Sequence, residues 1–199
     1  VCLNTHYAAV LVEGKIHLFL IEPQSYGDED TKIFNENSGR ITHMDLRDDV
    51  LIYIVDSNSR GLQTCVVKFF SLRAWVMLEG CEYRHDTALR AVYPNKSGTR
   101  LCLLDESGRG WIYNPSASHI FQIEEFGGTD GRHSVTMVLW DDVDWGAFVV
   151  VEGETLATYV YSPVSINGPV CTKIGSIGIG ANGDMKITPN NTKLPHGCS

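Results

Sequence analysis

A short unit recurs four times along the chain: an apolar run, an acidic turn with glycine, and a second apolar run. The first copy is Ala8-Ala9-Val10-Leu11-Val12-Glu13-Gly14, leading into Ile16-His17-Leu18-Phe19-Leu20-Ile21. The second is Leu51-Ile52-Tyr53-Ile54-Val55-Asp56, a turn closing on Arg60-Gly61, then Val66-Val67-Lys68-Phe69-Phe70. The third is Leu101-Cys102-Leu103-Leu104-Asp105, closing on Arg109-Gly110, then Trp111-Ile112-Tyr113. The fourth is Ala147-Phe148-Val149-Val150-Val151-Glu152-Gly153, then Leu156-Ala157-Thr158-Tyr159-Val160-Tyr161. The turn acids Glu13, Asp56, Asp105 and Glu152 therefore step along the chain with a period in the forties. Strand-only repeats of that length point to β-propeller blades of four antiparallel strands.

Residue types support the strand reading. Continuous runs of Val, Ile, Leu and Phe suit strands buried on both faces between neighbouring sheets. Glycine after the acid permits the positive φ of a tight hairpin, and most of the turns read as longer than two residues. Outer strands are expected over 40–46, 75–83, 89–93, 119–123, 134–140 and 170–174. No window of useful length carries a helical apolar stripe. The expected blades span about 1–37, 40–86, 89–126 and 133–177, the first without a convincing opening strand. Residues 1–177 then form part of one propeller. Residues 178–199 read as a glycine- and proline-rich loop with one weak strand at Met185–Thr188. Four blades do not make a comfortable ring, so the chain reads as a piece of a longer protein whose further blades close it. The alternative is a self-contained β-sandwich. Val10, Val12, Ile52, Ile54, Leu101, Leu103, Val149 and Val151 are the expected core.

Charge narrows the partners. With Asp and Glu outnumbering Lys and Arg, the net charge is −8, which argues against nucleic acid as a partner. Acids gather in expected loops at Asp28-Glu29-Asp30, Asp48-Asp49 and Asp141-Asp142. They are either solvated tips or a surface for a basic partner. No run is long enough for a membrane-spanning helix, so direct membrane insertion is not expected. The six cysteines (2, 65, 81, 102, 171 and 198) form no CxxC pair and no zinc spacing with histidine. Cys65 and Cys102 lie within apolar runs, where a free thiol behaves as a small hydrophobe. This scatter favours reduced thiols and a cytosolic compartment. Asn95-Lys96-Ser97 and Asn190-Asn191-Thr192 match the glycosylation sequon, a match common by chance.

Several patterns could carry chemistry, and each has a plainer reading. Gly178-Ile179-Gly180-Ala181-Asn182-Gly183 fits GxGxxG, but the short strand Met185-Lys186-Ile187-Thr188-Pro189 follows where a phosphate-binding helix is required. His85-Asp86, and His43 with Asp45, could form acid–base pairs, yet no nucleophile elbow accompanies them. Asp141-Asp142-Val143-Asp144 lacks the glycine and distal glutamate of a calcium loop. A propeller glycosidase would need paired carboxylates on innermost strands, for which Asp45 and Asp141 are the candidates. No catalytic, cofactor or metal residue is assigned.

Longer stretches carry a resemblance. Val1-Cys2-Leu3-Asn4-Thr5-His6-Tyr7-Ala8-Ala9, Glu13-Gly14-Lys15-Ile16 and Leu20-Ile21-Glu22 resemble the WD-repeat core subunits of intraflagellar transport complex A. So do Glu82-Tyr83-Arg84-His85, Gly98-Thr99-Arg100-Leu101, Asp105-Glu106, Tyr113-Asn114-Pro115, Val138-Leu139-Trp140 and Thr158-Tyr159-Val160-Tyr161, in the same order over residues 1–165. The resemblance implies WD40-like blades of the second of two N-terminal propellers ahead of a helical tail. It also implies a non-catalytic scaffold that serves retrograde transport and cilium assembly. Its partners would be other complex A subunits and ciliary membrane-protein cargo or its adaptors, at the cilium, the ciliary base and in the cytoplasm. Three features depart from the pattern. Trp140-Asp141 closes a first strand rather than a third, the 56–63 loop is long, and the likeness fades beyond Val170. A vesicle-coat propeller is the runner-up.

Overall fold

Each pair of apolar runs forms an antiparallel hairpin, and each hairpin acquires outer strands to become a separate sheet. The structure, a computed structural model, describes residues 1–21, 31–59, 62–124, 126, 135–144, 146–166, 168–179 and 184–190. The first blade contains β1 (Cys2–Leu3), β2 (Tyr7–Val12), β3 (Lys15–Leu20) and β4 (Thr31–Phe34), in that order. The second contains β5 (Arg40–Arg47), β6 (Val50–Ser59), β7 (Leu62–Ser71), β8 (Val76–Met77) and β9 (Tyr83–His85). The third contains β10 (Leu89–Pro94), β11 (Leu101–Asp105), β12 (Gly110–Asn114) and β13 (His119–Gln122). The fourth contains β14 (Val135–Trp140), β15 (Ala147–Glu152), β16 (Thr155–Ser162), β17 (Val170–Ile179) and β18 (Met185–Pro189). One 3₁₀ turn, Pro115–Ala117, is the helical element among the described residues. The architecture is all-β, with propeller blades.

The turns follow backbone chemistry more closely than the repeat suggests. Val12 pairs with Lys15, so Glu13 and Gly14 form a two-residue turn with φ of 49° and 77°, as a type I′ hairpin requires. Glu152 pairs with Thr155 across a second two-residue turn, opened by Gly153 at φ 59°. The first turn falls on the expected Glu13-Gly14, and the second lies one residue beyond Glu152. The second acidic turn is displaced: Asp56 pairs with Cys65, and the ladder continues to Ser59–Leu62. Arg60-Gly61 and the Asp28-Glu29-Asp30 loop lie outside the described residues. Gly110 is glycine for a steric reason, because a Cβ there would meet the Phe126 ring at 2.4 Å.

Other expectations also shift. The first blade does have an opening strand, the two-residue β1. The expected 75–83 strand divides into β8 and β9, each pairing with β7. Gly178 and Ile179 continue β17, and the weak strand near Met185 joins β17 as a fifth strand of the fourth sheet.

Packing between blades sorts the core. β11 is buried at every position, and β6 is buried from Leu51 through Val55, so the middle blades are covered on both faces. Ala9, Ile16 and Leu18 of the first blade meet Leu51, Tyr53, Val55 and Phe70 of the second. Ile52, Ile54, Val67 and Phe69 then meet Leu101, Leu103 and Tyr113 of the third. Cys102, Leu104 and Ile112 meet Phe148, Val150, Ala157 and Tyr159 of the fourth. Four of the expected core residues, Ile52, Ile54, Leu101 and Leu103, are fully buried. The other four are a correction: Val10, Val149 and Val151 are half-buried and Val12 is 46% exposed. The phase along β2 and β15 puts Ala9, Phe148 and Val150 against a neighbouring blade. The alternate positions face outward from the end blades.

One outward face is continuous. Met137 pairs with Val151, Val151 with Leu156, Leu156 with Ile177, and Ile177 with Ile187, giving an aliphatic row across five strands. The burial contrast yields a direct expectation. Leu103→Ala should lower unfolding free energy by about 2–4 kcal/mol, as for other fully buried leucines. Val151→Ala should cost about 1 kcal/mol or less. Urea titrations of the two variants that give equal losses would contradict this packing.

Candidate functional site

The polar chemistry of the chain concentrates at two kinds of place: latches between blades, and the inner channel. The main latch is centred on Asp105, which ends β11 and has no exposed surface. Its Oδ1 accepts hydrogen bonds from Ser107 Oγ at 2.6 Å and from the Arg109 backbone N–H at 2.9 Å. Its Oδ2 accepts from Arg109 Nε at 2.9 Å and from Trp111 Nε1 at 3.4 Å. His85, on β9 of the preceding blade, places Nε2 3.8 Å from the same oxygen. The other ring nitrogen of His85 shares a hydrogen bond with Tyr83 Oη at 3.0 Å, and Trp111 meets the imidazole edge-on. Tyr83 stacks on Tyr113 with centroids 4.8 Å apart. One buried carboxylate thus closes its own turn and faces the outer strand of the second blade.

The connector into the second blade carries an acid at the corresponding position. Glu36 lies four residues before β5, as His85 lies four before β10. Its carboxylate accepts hydrogen bonds from Ser38 N–H and Oγ at 2.9 and 2.7 Å, Tyr53 Oη at 2.9 Å and Lys68 Nζ at 3.2 Å. Burial pushes the Glu36 carboxyl up, but the bonds from Ser38, Tyr53 and Lys68 outweigh it and hold the pKa at about 2. Burial likewise opposes ionisation of Asp105, and its bonds from Ser107, Arg109 and Trp111 win, so its pKa is lowered. Burial lowers the pKa of His85 against the opposing pull of the Asp105 charge, so the neutral ring is favoured. The sequence pairs His85 with Asp86. The structure replaces that partner with Asp105, since Asp86 is exposed.

The first strands line the inner channel, and three of them share a device. β5, β10 and β14 each carry a register shift near their starts, between Ile41 and His43, Leu89 and Ala91, and Val135 and Met137. A bulge turns side chains out of simple alternation. Arg90 thereby donates from Nη2 to the Val135 carbonyl across the third and fourth blades. Tyr93 Oη donates to Thr136 O at 3.3 Å, and Trp140 Nε1 donates to Tyr93 O at 2.8 Å. A cavity of about 550 Å³ runs beside these strands, lined by His43, Asp45, Arg90, Tyr93 and Thr136 among others.

The remaining candidates make local contacts. Asp45 lines the cavity, but its carboxylate accepts from Leu46 N–H at 2.6 Å and pairs with Arg47 Nη2 at 3.1 Å. Burial raises its pKa, with Arg47 and Leu46 partly offsetting that. Asp141 is exposed and accepts from Val143 and Asp144 N–H at 2.8 and 2.7 Å, while Asp144 accepts from Gly146 N–H at 2.9 Å. These acids hold their own turn, and among the described residues no three His, Cys, Asp or Glu side chains are grouped to hold a metal. Asn95 is buried and uses its side chain to bridge Thr99 and the Arg100 N–H, so its sequon closes a turn. Cys65 donates to Asp56 Oδ1 at 2.8 Å, and burial with that bond raises its pKa to about 11. The five described cysteines are free thiols. Residues 180–183 of the GxGxxG pattern, 191–192 of the second sequon and Cys198 lie outside the described residues.

Comparison with known proteins decides the family. The model of the WDR19 second β-propeller matches residues 1–185. The chain belongs to the WDR19 second β-propeller family. WD repeat-containing protein 19 of Homo sapiens is 31% identical over 183 residues, covering 88% of this chain and 13% of that protein. WD repeat-containing protein dyf-2 of Caenorhabditis elegans is 23% identical over 198 residues, covering 98% of this chain and 12% of that one. The chain thus spans about an eighth of the length of these relatives. Among solved structures, Kluyveromyces lactis Hsv2 superposes with a TM-score of 0.62 at 10% identity, covering 84% of this chain and 57% of Hsv2. At that identity Hsv2 speaks for the fold alone. Membership in the WDR19 family makes the chain part of a propeller scaffold.

The latches predict how this propeller responds to acid. Glu36 and Asp105 ionise more readily folded than unfolded, so their stabilisation is complete above their ordinary values and lost as pH falls through the lowered ones. Neutral His85 adds a loss that begins below its ordinary value of 6.5. Glu36→Gln should therefore show a smaller drop in thermal midpoint than the unmodified chain between about pH 5 and pH 2. Asp105→Ala should cost about 3 kcal/mol at neutral pH by chemical denaturation, since charged hydrogen bonds are lost around a buried site. An unchanged acid profile in the first variant, or an unchanged midpoint in the second, would argue against these roles.

Proposed function

We propose that this chain is a non-catalytic scaffold segment of an intraflagellar transport complex A subunit. It holds other complex subunits, and ciliary membrane-protein cargo or its adaptors, for retrograde transport and cilium assembly. The observation that carries this reading is the family match across residues 1–185. The working locations are the cilium, its base and the cytoplasm. The blades belong to one ring that further blades complete. The aliphatic row from Met137 to Ile187 supports this, because the equivalent faces of the first three blades are each covered by the blade that follows.

The site chemistry fits binding rather than turnover. The channel carboxylate of Asp45 is tied to Arg47, and that of Asp141 to its own turn. A glycosidase pair needs two carboxyls facing one bond, whereas these two carboxylates are each engaged in local bonds. A rigid stack of blades instead fixes the positions of its connecting turns, where partners are met.

Proximity labelling from the full-length protein in ciliated cells tests the assignment. Labelling should recover other complex A subunits, and a version lacking residues 1–185 should recover them less and deliver less membrane cargo to cilia. Recovery of vesicle-coat subunits in their place would overturn the ciliary assignment and leave the scaffold.

A further inference from the structure

The channel opens at the far ends of the first strands into a mouth that the latches do not use. A cavity of about 390 Å³ sits there, lined from all four blades by residues that include Leu3, Pro94, Leu139 and Trp140. Leu3 is 65% exposed and Leu139 54% exposed, so two aliphatic side chains face solvent across one opening. Asp48 and Asp142 line the same opening, both exposed, in the turns that leave β5 and β14. Asp49 and Asp144 lie in those same turns. The cations of the lining are Arg47, whose guanidinium is held by Asp45 at 3.1 Å, and Lys96. Exposed aliphatic side chains beside Asp48 and Asp142, with Asp49 and Asp144 in the same turns and Arg47 already neutralised by Asp45, on a chain of net charge −8, are complementary to one kind of surface.

We propose that this mouth docks an extended peptide segment bearing aliphatic side chains flanked by lysine or arginine. The segment lays its aliphatic groups on Leu3 and Leu139, and its cations meet Asp48 and Asp142. The proposal rests on the scaffold reading and narrows it, because it states the chemistry of one partner segment. Nucleic acid and acidic peptides are disfavoured by the same rim.

Fluorescence anisotropy on the full-length protein tests it. The probe is a labelled peptide with two leucines at its centre and two lysines on either side. Binding should weaken several-fold between low and physiological salt, since exposed charges are screened. The double substitution Asp48→Asn and Asp142→Asn should weaken it about three- to ten-fold. Asparagine tolerates the left-handed conformation of residue 48, at φ 43°, so the turn is kept. Leu3→Ser with Leu139→Ser should weaken it about ten-fold or more, and both side chains are exposed enough to leave the core intact. No binding of the lysine peptide overturns the proposal. So does equal binding of a peptide with glutamate in place of lysine, or unchanged binding by both double variants. Co-purification of complex A subunits is scored in parallel. If they are retained without peptide binding, the site fails and the scaffold reading stands. If they are lost while the peptide binds, the scaffold reading fails and the site stands.

Discussion

A sheet of four strands with aliphatic side chains on both faces cannot shield itself from water, because its two faces point in opposite directions. Every other feature of this chain follows from that deficit. Leu51 to Val55 and Leu101 to Asp105 are buried at successive positions only because a blade stands on each side of them. Blade packing is therefore the folding interaction, and the hairpins are its units rather than independent structures. The two acids of the latches are admitted between blades under one condition, that each carries its hydrogen bonds with it. Asp105 and Glu36 meet that condition with several donors apiece.

Such latches add direction to a contact that is otherwise non-directional. Aliphatic faces would tolerate sliding, since burial scales with area and not with register. A carboxylate fixed by its own turn and set 3.8 Å from His85 Nε2 of the previous blade loses that contact if the blades slide. Trp140 bonding to the Tyr93 carbonyl, and Arg90 to the Val135 carbonyl, act similarly where the third and fourth blades meet at the channel. The blades thus keep a defined rotation about the channel, which fixes where their turns emerge.

How much of this the sequence reveals depends on whether a feature is local. Hairpins closed by Glu13-Gly14 and Gly153 are local, and the residues that make positive φ affordable identify them. The core phase in the end blades is not local. A run such as Phe148-Val149-Val150-Val151 is apolar at every position, so its composition is silent on which face a neighbour covers. The continuation of β6 past Asp56 is hidden for a related reason, since Ser57, Asn58 and Ser59 resemble a turn and are held extended by pairing across to β7. Asp105 offered a usable signal in Arg109 and Trp111 at four and six residues' distance. Its contact with His85 needed the second blade to be placed first. The bulges at the starts of β5, β10 and β14 left no mark in residue type that a single chain exposes.

The division of labour between the latches and the mouth of the channel then has a physical basis. Asp105 and Glu36 are spent on holding neighbours: their oxygens are occupied and their positions are not free to meet a partner. Asp48 and Asp142 sit in turns that the ladders have already closed, and their charges remain in solvent. Acidic side chains therefore serve two places, one set between blades and the other available to a visitor. Catalysis would ask for a third arrangement, a carboxyl left underbonded in a dry pocket with a second group facing it. In the channel Asp45 approaches that state in burial, which raises its pKa, but its oxygens are already bonded to the Leu46 N–H and to Arg47. A frame built by saturating its buried acids is suited to presenting surfaces, and the family to which this chain belongs is one of propeller scaffolds.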